Sequence, residues 1–63
     1  MTNGQKLKAI SKLTMKDCLS YVDYHDIGHW AASCEAEDYD TTILSEKILE
    51  RINAIFSMFF SEV

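Results

Sequence analysis

The chain has 63 residues, 48% hydrophobic and 25% charged, with a formal net charge of −4. One domain is the most this length allows, and so short a chain buries only about 60% of its unfolded surface, so a disulfide, a metal or a second subunit is an expected aid. The composition excludes a disordered tail, and the apolar run from Ile52 to Phe60, broken by Asn53 and Ser57, is roughly half of the ~20 residues a membrane span requires.

In chain order, helix signals dominate and strand alternation is absent. Thr2 followed by Gln5 fits a capping box and predicts a short helix over about 3–12. Thr14 followed by Asp17 fits a second box and predicts a helix over 15–24, with Met15, Cys18, Leu19 and Val22 on one buried face. Continuing that helix would set Asp26 in its apolar face. The expectation is therefore a break near Tyr24–His25, an Asp26 cap and a third helix over 27–36, burying Ile27, Trp30, Ala31 and Cys34. Gly28 weakens this third helix by about 1 kcal/mol relative to alanine.

Residues 35–41 read as an acidic connection. Asp40 or Thr41 then caps a long C-terminal amphipathic helix over about 42–61. Around Ile48, its apolar arc spans roughly 200°, against a usual core stripe of about 100° or somewhat more. Only Ser45 and Arg51 intrude. So wide a face predicts association, and the simplest partner is a second copy of the chain. The expected dimer anchors are Leu44, Ile48, Ile52, Ile55, Phe56 and Phe59. The fold class is all-α: a single helical domain over 1–63, three short helices and one long one, a small bundle completed by homodimerisation.

Charge is unevenly distributed. Residues 1–16 carry Lys6, Lys8, Lys12 and Lys16 and no acid, whereas residues 17–46 carry eight acids and no base. The lysines interrupt every apolar stretch near the N-terminus, so no signal peptide is expected. The two cysteines allow at most one disulfide, and a cytoplasmic protein with reduced thiols is the default.

Candidate chemistry centres on residues 18–34. Cys18, His25, His29 and Cys34 supply two thiolates and two imidazoles, the number and type of a closed tetrahedral zinc site, although their spacing matches no standard zinc signature. His25-Asp26-Ile27-Gly28-His29 resembles the His-Asp signature of HD-domain metal-dependent phosphohydrolases, in which an adjacent His and Asp ligate a metal on a helical scaffold. That resemblance covers five residues. The family also requires an upstream histidine, and none precedes His25. No enzymatic activity and no cofactor are expected.

A helix-turn-helix outline from Leu13 to a helix ending around Trp30 implies a nucleic-acid-binding regulator, with Lys8, Lys12 and Lys16 as candidate phosphate contacts. Its reading helix, however, carries no Lys or Arg, and the surrounding acids repel a duplex. An acidic mimic of nucleic acid is a further alternative. The reading these features favour is a small non-enzymatic regulatory module that binds or occludes a protein partner, of the compact acidic kind common among phage and plasmid accessory proteins. Tyr21, Tyr24 and Tyr39 form its candidate partner patch. Trp30 is a core residue in this reading.

Overall fold

The first helix starts where its sequence supplies a cap. Thr2 Oγ1 accepts from the Gln5 N–H at 3.1 Å, and Gln5 Oε1 accepts from the Thr2 N–H at 2.9 Å, satisfying two donors that the helix itself cannot. The structure, a computed structural model, describes residues 2–17 and 19–60. Helix α1 spans Asn3–Ile10 and buries Leu7 and Ile10 completely. It stops short of Lys12, as Ser11 becomes the C-cap and its N–H bonds back to the Leu7 carbonyl at 2.9 Å.

The expected helix over 15–24 does not form. The Thr14 N–H and Oγ1 both donate to Asp17 Oδ2, at 2.8 and 3.1 Å, but this closes only a 3₁₀ turn, Met15–Asp17. The next helix starts at Ser20, whose Oγ accepts from the Asp23 N–H at 3.1 Å. Helix α2 then runs unbroken through Tyr21–Glu35, so the predicted break near Tyr24–His25 and the Asp26 cap are both corrected. The physical reason lies in which face is buried. Ile27, Trp30 and Cys34 face the core while Met15 and Val22 are exposed. Asp26 falls about 100° from Ile27, at the flank, where it disrupts nothing.

After the C-cap Ala36, the chain turns sharply. The Glu37 and Tyr39 N–H groups both reach the Cys34 carbonyl, at 3.0 and 2.8 Å. Asp38 and Tyr39 take left-handed φ values of 54° and 59°, a region that usually goes to glycine or asparagine after a helix. Packing holds Tyr39 there. Tyr39 lies against the core, and its carbonyl oxygen occupies the space where a side chain on Gly4 would stand.

Asp40 also caps something other than predicted. Its side chain accepts from the Thr42 N–H at 3.0 Å and Thr42 Oγ1 at 2.7 Å, which starts a second 3₁₀ turn, Thr41–Ile43. Leu44 follows in extended conformation, outside the last helix. Helix α3 is Glu46–Phe60, so it starts four residues later than the sequence implied. Among the described residues the architecture is therefore three α-helices and two 3₁₀ turns, in place of four helices.

The core is formed by Leu7, Ile10, Leu19, Ile27, Trp30, Cys34, Ile52 and Ile55. α1 lies against both α3 and α2. A part-buried polar seam fixes its register on α3. Lys6 Nζ donates to Asn53 Oδ1 at 2.6 Å and sits 5.6 Å from the Phe56 ring centroid, while Asn53 Nδ2 donates to Asn3 Oδ1 and the Leu49 carbonyl. These bonds partner both ends of the Asn53 amide, which makes this pairing of α1 with α3 specific as well as apolar. The radius of gyration is 10.8 Å, close to the roughly 10.6 Å of a compact chain this long. Among the described residues, no helix is long and apolar enough to cross a membrane.

Candidate interaction surface

α2 has two contrasting sides. Toward the core it places Asp23 beside Ile27, and Arg51 of α3 closes on that carboxylate. Arg51 Nε and Nη2 donate to Asp23 Oδ1 and Oδ2 at 3.1 and 2.5 Å. The Asp23 side chain is 14% exposed and that of Arg51 49%. This forked geometry suits a guanidinium facing a carboxylate. The bonds from Arg51 hold the Asp23 carboxyl below its usual range against the opposing effect of burial. The same bonds raise Arg51, with the charges of Asp23 and Asp26 adding to them. The ion pair ties the first turn of α2 to the middle of α3.

At 100° per residue, the other side of α2 carries, ahead of the exposed acid Glu35 at its last position, Tyr21, Val22, Tyr24, His25, Gly28, His29 and Ala32. All seven are exposed, and none carries a formal charge with histidine neutral. The Tyr21 and His25 rings lie 6.3 Å apart, tilted by 32°. Tyr24, His25, Gly28 and His29 join Ile27 and Ser11, the residue that caps α1, around an open cleft of about 410 Å³. A Cβ added at Gly28 would meet nothing within 4 Å.

The sequence-derived residues divide between these two sides. Tyr21 and Tyr24 share the outer side, but Tyr39 does not join them. It sits beyond the far end of a helix about 22 Å long, half-buried, with Lys8 Nζ 5.7 Å from its ring centroid. The four candidate zinc ligands are likewise separated. His25 and His29 are exposed, whereas Cys34 is fully buried and lies about 180° and 140° around the helix from them. Burial first, and the nearby charge of Asp40 second, push the Cys34 thiol up from its ordinary value. Cys18 lies outside the described residues. No cluster of three or more histidine, cysteine or acidic side chains is placed to hold a metal among the described residues.

Two of the expected dimer anchors need correction. Ile52 and Ile55 have no exposed surface in the single chain, so they are core residues of the monomer. Leu44, Ile48, Phe56 and Phe59 pack partly against that core. The lysine row is also broken up. Lys12 lies past the end of α1 and Lys16 is in the 3₁₀ turn, so the interval-of-four alignment with Lys8 does not form. The helix-turn-helix outline from Leu13 to about Trp30 gives way to that turn and a single continuous helix.

Val22 was missed as a surface residue, because a helix over 15–24 would bury it. Ser20-Tyr-Val-Asp23 is itself a start signal of the Ser-x-x-Asp type, and reading it first would have turned Val22 outward. No family model matches this chain, and comparisons with curated proteins and with solved structures find no match either.

Proposed function

We propose that this chain is a small non-enzymatic regulatory module, cytoplasmic, that binds and occludes a protein partner with the outer side of α2. The observation that carries this reading is the exposure of Tyr21, Val22 and Tyr24, at 67%, 65% and 44%, on a helix side that carries no charge over residues 21–32 of an otherwise acidic chain. Charged residues are depleted and tyrosines enriched at the centres of interfaces. Tyrosine also offers a large contact area for little lost conformational entropy. Gly28 weakens α2 without any packing reason inside the fold, and the open space above it admits close approach by a partner's backbone. Asp26 at its flank, Glu35 at its C-terminal end and the acidic turn that follows α2 favour a partner with a basic rim.

A photo-reactive residue at position 21 or 24, used in the cell of origin, is expected to give one predominant protein adduct. The same residue at position 47, exposed on α3, is expected to give none. Equal labelling from all three positions would remove α2 as the docking side.

Self-association is the second part of this reading, and a specific feature of α3 favours it. Leu49 and Phe56 are only partly covered, Phe60 is among the exposed large hydrophobics, and the Phe56 and Phe60 rings stack at 5.1 Å. Two copies meeting along this flank would cover it. Sedimentation at tens of micromolar is expected to show the mass of two chains, reduced to one by Phe60→Ser. A single-chain mass for the unaltered protein would remove the dimer and leave the α2 surface intact.

A further inference from the structure

The outer side of α2 also holds the only two histidines of the chain, His25 and His29, four residues apart on one continuous helix. That spacing sets two side chains one above the other, with Cβ atoms about 5–6 Å apart, and two imidazoles so placed can close on one ion at metal–nitrogen distances of about 2.0–2.1 Å. The continuity of α2 is what creates the pair. Both rings are exposed and border the same open cleft. Gly28 precedes His29 and adds no side chain to crowd it.

We propose that His25 and His29 form a two-imidazole site for a borderline divalent transition-metal ion of the zinc, nickel and copper class. The ligand type sets the selectivity. Imidazole suits these ions, whereas magnesium and calcium are hard cations that take oxygen donors. Because both donors are presented by one rigid helix, the second bond forms within the molecule, and the pair binds more tightly than either ring alone. Two protein ligands leave the ion's remaining coordination positions to water. This assignment rests on the histidine geometry and is independent of whether the surface docks a protein.

Having only two histidines makes the test direct. Proton NMR of the imidazole ring signals is followed as ZnCl₂ is added to the purified chain, with MgCl₂ as the comparison. Both rings are expected to shift together along one saturating curve with zinc and to stay in place with magnesium. His29→Gln is expected to weaken the response of His25 by roughly tenfold or more, since the chelate is lost. His29→Lys at this exposed position preserves the helix and should give the same loss. Ring signals that stay unmoved in excess zinc, that follow separate curves, or that respond at His25 with unchanged affinity in both variants would overturn the site.

Discussion

Gly4 and Gly28 both lie inside helices, yet an added methyl group meets opposite surroundings at the two positions. At Gly28 it enters open space, so Gly28→Ala is expected to gain about 1 kcal/mol of helix stability. In a domain of this size that raises the thermal midpoint by roughly 4–8 °C. At Gly4 it collides with the Tyr39 carbonyl oxygen, a main-chain atom held by the turn after α2. Gly4→Ala should therefore lose about 1–3 kcal/mol through overpacking, despite the better helix former. Circular dichroism melts of the two variants check both directions. The Asp23–Arg51 pair gives a pH prediction at the same scale. Asp23 titrates below its ordinary value of 3.8 in the folded state, so its contribution is fully present above that value and is lost as pH falls through the folded one. Arg51 is half exposed, which limits the pair to about 1 kcal/mol or less. Urea midpoints measured from neutral pH downward should show Arg51→Ala losing less stability on acidification than the unaltered chain.

At the scale of elements, α1 was legible because Thr2 and Gln5 form a complete local cap whose two bonds depend on nothing else in the molecule. α2 was legible in existence but not in extent. Two start signals, Thr14-x-x-Asp17 and Ser20-x-x-Asp23, lie six residues apart, and only tertiary packing decides which one nucleates a helix. The core takes Ile27, Trp30 and Cys34, so Ser20 becomes the cap and Thr14 closes a lone turn. The two assignments differ measurably. Ser20→Ala should cost about 1 kcal/mol, while Asp26→Ala, which removes no cap, should change stability by about 0.5 kcal/mol or less. Equal losses at the two positions would restore a helix start at Asp26. The width of the α3 face was likewise legible, but not how much of it a single chain covers. α1 packs along α3 through the Lys6–Asn53 seam, and the arc closes over Ile52 and Ile55 without a second subunit. Only its flanks remain for association.

At the scale of the whole molecule, the outer side of α2 is what the fold leaves uncovered. Tyr21 and Tyr24 could be proposed from residue type alone, since exposed aromatic residues mark interfaces. Val22 and the pairing of His25 with His29 needed more than residue type: Val22 depends on where α2 begins, and the pair on α2 passing unbroken through Asp26. Cys34 dropped out of the ligand set for the same reason: the continuous helix turns it inward. The outer side of α2 should therefore be free of any role in holding the fold together. Equilibrium urea unfolding of the Tyr21→Ser/Val22→Ser/Tyr24→Ser variant, run beside Ile52→Ala, tests this most directly. Serine, tyrosine and valine have similar helix propensities, so the triple variant should keep its stability to within about 1.5 kcal/mol, while Ile52→Ala loses about 2–5 kcal/mol. A triple variant that unfolds as readily as Ile52→Ala would place these side chains in the core and contradict the proposed surface.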